Sequence, residues 1–292
     1  MTFKYKNVYL EETATVTGPF EEKGPLARFF DKSYQEFYFD TKTWEQAESK
    51  LLEESIEILL SKLSKSKQDI DILISGDLQN QLTSTNYAAT NLGIPLIGVY
   101  SACSTSCLGL IVASNMIDKR QVKNAIVSVS SHNNAAEKQF RQPVEYGGPK
   151  PKTATFTVTG GASCYLNGVD GKIKITSATI GTPIDMGIKD AFHMGAVMAP
   201  AAGEVIIKHL RNTYQDIMDY DLVLTGDLGR YGKDILKEYL LTEYGVEATN
   251  VDDAACMIYN LDKQDVYAGG SGPACLPLVT YGYILNQMKK RN

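Results

Sequence analysis

Hydrophobic residues along the chain alternate between short uninterrupted runs and longer stretches with helical spacing. Over residues 44–63 the apolar residues recur every three or four positions, which predicts a helix with Thr43 or Asp40 as its N-cap. Short apolar runs that end in glycine or small polar residues predict buried strands over 70–76, 94–100 and 125–131. Short strands that alternate with helices are typical of mostly parallel sheets covered by helices.

Weaker signals predict the remaining elements. Helices are predicted over 83–92 and from Ala199-Pro200 to about Arg211, with Pro200 in the first turn of the second helix. Strands are predicted over 3–10 and 172–179, and one or two strands over 155–166. The stretch 139–153 is rich in proline and glycine, which predicts a long ordered loop.

One stretch, residues 97–112, joins a predicted strand to a predicted helix and carries Cys103 at the junction. The first N–H groups of a helix have no partner within the helix, so this position favours a thiolate or a bound anion. Free cysteine is also a common small core residue. The local sequence leaves a reactive thiol and a structural cysteine both open.

An internal repeat indicates the architecture. Residues 71–78, Asp-Ile-Leu-Ile-Ser-Gly-Asp-Leu, match residues 221–228, Asp-Leu-Val-Leu-Thr-Gly-Asp-Leu, and an Ala-Cys pair follows each copy, at Cys103 and Cys256. The repeat predicts an α/β protein of two similar βαβαβ halves, residues 1–168 and 169–292, related by a pseudo-twofold axis.

Polar residues follow the predicted strands of both halves. Ligands in open α/β sheets bind beyond the carboxyl ends of strands, so one cleft is expected to collect these side chains: Asp77, Cys103, His132, Asp227, Asp252 or Asp253, and Ser271. The two Gly-Asp-Leu motifs have a structural alternative, in which each aspartate caps the helix that follows it.

Composition excludes several classes of function. The net charge of −5 and the absence of a basic stripe argue against a nucleic-acid partner. We predict no transmembrane segment and no signal peptide, and therefore an intracellular protein. Five cysteines without metal-type spacing fit a reducing compartment and predict no metal site and no disulfide framework.

The repeat and its cysteine elbow, Ala-Cys-Ser-Thr-Ser, resemble the thiolase superfamily. Within it the chain is most similar to the stage V sporulation protein AD family of spore-forming bacteria. The motifs that carry the resemblance run through most of the chain: Gly-Pro-Leu-Ala-Arg-Phe-Phe-Asp (24–31), Gly-Asp-Leu-Gln-Asn-Gln (76–81), Ser-Ser-His-Asn (130–133), Gln-Phe-Arg-x-Pro-x-Glu-Tyr-Gly-Gly (139–148), Thr-Ser-Ala-Thr-Ile-Gly (176–181), Met-Ala-Pro-Ala-Ala (198–202), Thr-Gly-Asp-Leu-Gly-Arg (225–230) and Ala-Gly-Gly-Ser-Gly-Pro-Ala-Cys (268–275).

The resemblance implies a layered αβαβα fold and the binding of dipicolinic acid (pyridine-2,6-dicarboxylic acid) during its uptake into the developing spore. Calcium is expected only as part of a chelated ligand, and no other cofactor is expected. The resemblance also implies membrane proteins of the same sporulation operon as partners, a peripheral position at the spore inner membrane through them, and a homodimer.

The resemblance leaves two functions open, a dipicolinate-binding protein and a thioester-dependent acyltransferase. Condensing enzymes of the superfamily activate the elbow cysteine with residues from the second half, but Asp227 stands where they usually carry a histidine. If the chain is an enzyme, Cys103 is expected to act with His132. If it is a binder, the candidate ligand contacts are those strand-end residues and further polar and basic side chains: Asn80, Asn133, Arg141, Lys150, Lys152 and Arg230.

Overall fold

The computed structural model describes residues 1–140 and 150–291, with side chains up to residue 288. The strands are β1 (Thr2–Lys4), β2 (Tyr9–Thr17), β3 (Lys32–Ser33), β4 (Leu73–Gly76), β5 (Leu96–Gly98), β6 (Asn124–Ser131), β7 (Phe156–Thr157), β8 (Gly160–Asn167), β9 (Ile173–Lys174), β10 (Ser177–Thr179), β11 (Val223–Thr225), β12 (Val251–Asp253) and β13 (Gly270–Ser271). The helices are α1 (Trp44–Leu63), α2 (Thr83–Leu92), α3 (Thr105–Asp118), α4 (Asn133–Phe140), α5 (Met194–Thr213), α6 (Gly229–Tyr244), α7 (Ala254–Met257), α8 (Cys275–Val279) and α9 (Leu285–Arg291).

The largest sheet is mixed and has the order β3-β2-β8-β6-β4-β5, with β9 beside β2. Strands β4, β5 and β6 are parallel, and Ile74 of β4 lies between Ile97 and Val127 of its neighbours. Strand β8 runs antiparallel to β6 and to β2. Because β4, β5 and β6 share one direction, their carboxyl ends at Gly76, Gly98 and Ser131 mark one edge of the sheet. This edge carries the candidate site.

Helices cover both faces of this sheet. Helices α1 and α2 pack on one face, where Leu52, Ile56 and Leu59 are fully buried. Helices α3 and α8 pack on the other face, in a core that also receives Leu224 and Met257 from the second half. Helices α5 and α6 pack on each other in a separate cluster beyond the second-half strands. The chain is therefore layered as α/β/α/β/α.

The second half repeats the order of elements of the first. Strands β11 and β12 are parallel and are joined by α6, as β4 and β5 are joined by α2. The short helix α7 follows β12 as the cysteine elbow follows β5. Two short strands of the first half also pair with the second half, β1 with β10 and β7 with β13. The duplicated α/β unit predicted from the repeat is confirmed.

The two amphipathic helices of the first half begin and end where the sequence predicts. Helix α1 spans Trp44–Leu63, and the hydroxyl of Thr43, not the side chain of Asp40, accepts the Gln46 N–H at its start. Helix α2 spans Thr83–Leu92 and ends at Gly93, which has φ of 68°. Glycine adopts this left-handed conformation without the steric penalty of a side chain.

Two predicted strands are wrong as single elements, because the chain passes from one sheet to another within each of them. The segment 3–10 is divided between β1 and β2, and 172–179 between β9 and β10. At the crossing, Tyr5 donates its N–H to the Thr176 carbonyl, and Ile175 donates to that of Val8. The alternation of apolar residues does not reveal this change of partner.

Two helix predictions are also corrected. Helix α5 begins at Met194, so Pro200 lies inside the helix and not in its first turn. The helix starts earlier because Nδ1 of His193 accepts the Ala196 N–H and caps it. Helix α4 was not predicted, and it contains the first residues of the predicted loop 139–153. Most of that loop, residues 141–149, lies outside the described residues.

Candidate functional site

The turn between β5 and α3 holds Cys103 in a tight backbone conformation. Ala102 has φ of 45°, a left-handed conformation that costs a residue with a side chain of the order of 1 kcal/mol. The Thr105 hydroxyl donates to the Ala102 carbonyl at 2.6 Å and accepts the Ser101 N–H at 3.0 Å, which fixes the turn. A Cβ at Gly76 would lie 2.0 Å from the Val99 carbonyl, so only glycine allows β4 to end beside this turn.

The Cys103 thiol faces groups that come from the second half. It donates to the Asp227 carboxylate, which follows β11, and it receives the backbone N–H of Gly272, which follows β13. Burial, and then the charge and hydrogen bond of Asp227, raise the pKa of Cys103 well above its usual value. The thiol is therefore protonated at neutral pH and is a poor nucleophile.

Asp227 is a carboxyl group with few partners. Burial raises its pKa to about 6, the Cys103 thiol lowers it, and the nearby Asp253 raises it. Its Oδ2 is sealed from solvent and has no hydrogen-bond partner among the described residues. An unsatisfied buried oxygen is costly, and such positions recur at functional sites.

Asp253 closes the turn that carries Asp227. Its Oδ2 accepts the Thr225 hydroxyl at 2.7 Å and the Leu228 N–H at 3.1 Å, and its Oδ1 accepts the Gly229 N–H at 3.0 Å. The side chain is fully buried at the end of β12. Asp253, not Asp227, thus satisfies the start of α6, and Asp227 is free to face Cys103.

Asp77 has the structural role that the sequence left open. Its Oδ1 accepts the Gln79 N–H at 2.6 Å and its Oδ2 accepts the Thr85 N–H at 2.7 Å, which caps α2. Glu48 of α1 lies beside it and accepts the Gln79 side-chain amide at 3.0 Å. Asp77 is fully buried and uses both oxygens on backbone N–H groups, which supports the helix-capping alternative over the predicted ligand contact.

His132 is a wall residue of the first half. It is fully buried, its Nε2 lies 2.8 Å from the Phe37 carbonyl oxygen, and Phe37 and Phe39 present their rings to it at steep angles. Burial lowers the pKa of His132 to about 4, so the ring is neutral. None of its described interactions involves Cys103. The predicted Cys103–His132 pair is therefore not formed.

Two other predicted residues, Asn133 and Ser271, lie with Gly272 where the carboxyl ends of β6 and β13 approach each other. The Asn133 side chain donates to the Thr157 carbonyl at 3.2 Å, and Ser271 pairs with Thr157 in the β13–β7 ladder. Gly272 has φ of 93°, and a Cβ there would lie 3.1 Å from the Ser131 hydroxyl. Asn133, Ser271 and Gly272 thus belong to one wall beside the elbow.

The remaining predicted residues have partners away from this cluster. Asn80 is exposed and its N–H bonds the Gln139 side chain. The Arg230 guanidinium lies 3.5 Å from the exposed Asp262, and Lys150 pairs with Glu137 at 2.8 Å. Two further predictions remain without an assigned contact: Lys152 is exposed, and Arg141 lies outside the described residues. In the described part of the chain, no cation is among the groups that shift the pKa of Asp227.

Two groups of the site were missed by sequence reasoning. The N–H of Gly272 belongs to a glycine-rich turn that the sequence shows, but a backbone donor has no signature of its own. Glu48 had a signal, because it lies on the apolar face of α1 beside Ala47 and Leu51. A charged residue at such a position requires a buried partner, and that requirement predicts a polar cluster.

Metal and membrane sites can be assessed for residues 1–140 and 150–291. In these ranges no three His, Cys, Asp or Glu side chains are arranged to hold a metal ion. Each helix in the same ranges is too short or too polar to cross a bilayer.

Comparisons with known proteins agree with this geometry. The model of the family described as stage V sporulation protein AD matches residues 1–292. The stage V sporulation protein AD of Bacillus subtilis (strain 168) is 44% identical over 283 residues, covering 97% of this chain and 83% of the relative.

Solved structures of Xanthomonas campestris OleA share the fold. OleA soaked with cerulenin superposes with a TM-score of 0.66 at 14% identity, covering 99% of this chain and 92% of OleA. A cysteine-to-serine variant of OleA with bound lauric acid and lauroyl-CoA gives 0.61 at 13% identity, covering 97% and 92%. The fold is therefore thiolase-like.

Proposed function

Because the chain belongs to the stage V sporulation protein AD family, we propose that it binds dipicolinic acid in the cleft around Cys103, during uptake of the acid into the developing spore. The proposal takes its ligand from what the family resemblance implies. The chain is a sporulation protein with a thiolase-like fold.

The observation that carries the proposal is a cysteine elbow that keeps its backbone N–H donors but lacks a usable nucleophile. The backbone N–H groups of Gly272 and of Cys103 itself donate to the Cys103 sulfur, as they would donate to an anion. Burial, and then Asp227, raise the pKa of the thiol and keep it protonated, and His132 is turned away into an aromatic cluster. A site with backbone N–H donors and a protonated thiol suits the binding of a small carboxylate better than acyl transfer.

The proposal also covers calcium, the partner proteins and the oligomeric state. Calcium enters only with the ligand as its chelate, and the partners are membrane proteins of the same operon, which hold the protein at the spore inner membrane. A homodimer through the edge strand β5 is supported by Tyr87 and Tyr100, which are 68% and 53% exposed near that edge. Exposed aromatic side chains are enriched at protein interfaces.

An acyltransferase is the second candidate. The fold is shared with OleA, and one OleA structure holds lauroyl-CoA. Cys103 lies at the strand-to-helix elbow and meets a backbone N–H, as an acyl acceptor of this fold requires. The raised pKa of its thiol is the observation against this function.

Calorimetric titration with dipicolinic acid, with and without calcium, tests the proposal. We expect saturable binding near one ligand per chain, and a loss of affinity of at least tenfold in Gly272→Ala, because a methyl group there crowds the N–H wall. Arg230→Ala is the matched control and should bind like the wild type, since Arg230 pairs with the exposed Asp262. Absence of saturable binding by the wild type would refute the proposal.

Incubation with acyl-coenzyme A donors separates the two candidates. We expect no mass increase of the intact protein. Stable acylation that disappears in Cys103→Ser would instead establish the acyltransferase.

A further inference from the structure

An anion-binding cleft that contains a carboxylate needs a way to remove that negative charge. Asp227 lies against Cys103, at the point where the proposed carboxylate ligand meets the Gly272 N–H. Two ionised carboxylates at such short range repel each other strongly in a poorly hydrated site. Either the ligand brings a cation or Asp227 loses its charge.

Within residues 1–140 and 150–288, the titratable groups packed around Asp227 provide no positive charge. They are Cys103 and Cys107 from the elbow and α3, Asp253 from β12, and Cys275 from α8, each of which interacts electrostatically with Asp227. The Cys275 thiol is itself committed to the Gly226 carbonyl at 3.2 Å. None of these groups can neutralise a carboxylate. With the described residues, Asp227 can therefore lose its negative charge only by taking up a proton.

The surrounding structure holds Asp227 at this position. The Asp253 carboxylate accepts hydrogen bonds from the Thr225 hydroxyl and from the Leu228 and Gly229 N–H groups. These donors are therefore not available to the Asp227 carboxylate. Among the residues that the structure describes, no donor reaches the buried Asp227 Oδ2, and an oxygen in this state is a ready site for a proton.

We propose that Asp227 takes up one proton from solvent when a carboxylate ligand binds beside Cys103, and that Asp253 is the residue that positions it for this role. The inference rests on the proposed function and concerns the free ligand. The step is a simple protonation: the new O–H bond forms on Asp227, and the buffer supplies the proton.

The pH dependence follows from linkage. The pKa of Asp227 is about 6 in the unliganded protein, so at pH 7 the carboxyl is mostly ionised. A bound carboxylate raises this pKa further, and binding then consumes close to one proton. Ligand affinity should fall by up to tenfold for each pH unit above pH 6.5, because one proton is linked to binding.

Isothermal titration calorimetry in metal-free buffer measures the proton directly. Titrating dipicolinate at pH 7.2 in Hepes and in Tris, which differ in ionisation enthalpy, gives the number of protons taken up per ligand bound. We expect about one proton for the wild type and none for Asp227→Asn, whose affinity should also become independent of pH between 6.5 and 8. Asp252→Asn is the matched control, since Asp252 pairs with Lys233 at 3.0 Å, and it should behave like the wild type.

The outcomes are distinct. Binding without proton uptake, or with equal uptake in Asp227→Asn, overturns the inference and leaves dipicolinate binding intact. No binding of the free acid by either protein at any pH overturns this inference, and if the calcium chelate also fails to bind, the proposed function is overturned with it. Asp253→Asn gives a second test. If Asp253 positions Asp227, this variant should take up fewer protons per ligand bound, and the pH midpoint of the uptake should change. If Asp253 has only a structural role, the variant should reduce the folded fraction and leave the midpoint unchanged.

Discussion

The two Gly-Asp-Leu turns of the molecule share their sequence and their place after a parallel strand, yet their aspartates act in opposite ways. Asp77 gives both oxygens to backbone N–H groups and caps α2. Asp227 gives none to the helix that follows it and faces Cys103 instead. The duplicated unit has thus kept a structural carboxylate in one half and directed the equivalent one at Cys103 in the other.

The difference depends on which neighbouring carboxylate satisfies the turn. In the second half Asp253 supplies the acceptors for the turn after β11. In the first half no carboxylate stands at the end of β5, and Asp77 caps the helix itself while Glu48 binds the Gln79 side chain. A helix start needs an acceptor, but not a particular residue, so the role can pass from one side chain to another.

The largest expected effect is that of Asp253→Ala. This change leaves the buried Leu228 and Gly229 N–H groups without their acceptor, and it should lower the free energy of unfolding by about 4 kcal/mol. Urea denaturation followed by circular dichroism measures it, with Asp252→Ala as the control. If Asp253→Ala unfolds like the wild type, the turn after β11 is not held by Asp253, and the comparison of the two turns fails.

Replacing either aspartate by asparagine should have a smaller effect on the free energy of unfolding, and the effect should have opposite signs in the two halves. This difference tests the comparison of the two turns. Asp77→Asn should destabilise the protein by about 2 kcal/mol, because the amide cannot accept both backbone N–H groups. Asp227→Asn should stabilise it, by about 3 kcal/mol at pH 8 and about 1 kcal/mol at pH 4.5. The pKa of Asp227 is raised from 3.8 to about 6, so ionisation opposes folding, and the cost grows as the pH rises from about 4 to 7.

Denaturation of both variants at the two pH values measures these differences. Equal destabilisation by both substitutions at pH 8 would mean that Asp227 caps its helix as Asp77 does. It would also remove the basis for proton uptake by Asp227.

The smallest expected effect concerns the thiol. Asp227 raises the pKa of Cys103, so Asp227→Asn should increase the rate of Cys103 alkylation by iodoacetamide at pH 8 by about tenfold. Fragment mass spectrometry resolves Cys103 from Cys107, and Asp77→Asn should leave the rate unchanged. An unaltered rate in Asp227→Asn would show that the carboxylate does not act on the thiol.

Part of the site could be predicted from sequence because its signals are local. The repeat placed Asp77, Asp227 and Cys103 after strands, and small polar residues marked the elbow. The roles of these residues were not local. His132 and Cys103 both follow strands of the first half, but the segment between β3 and α1 brings Phe37 to the imidazole and determines its direction.

Sequence by itself determined the class of fold, the duplication and the bounds of α1 and α2, because periodicity, capping residues and terminal glycines act over a few neighbouring residues. Tertiary structure alone decided which strands pair across the halves, where the segments 3–10 and 172–179 divide, and which of two identical Gly-Asp-Leu motifs faces the cleft. The physical reason is that a carboxylate is directed by the donors and charges around it. Those of Asp227 come from the elbow after β5 and from β12, far from it in sequence.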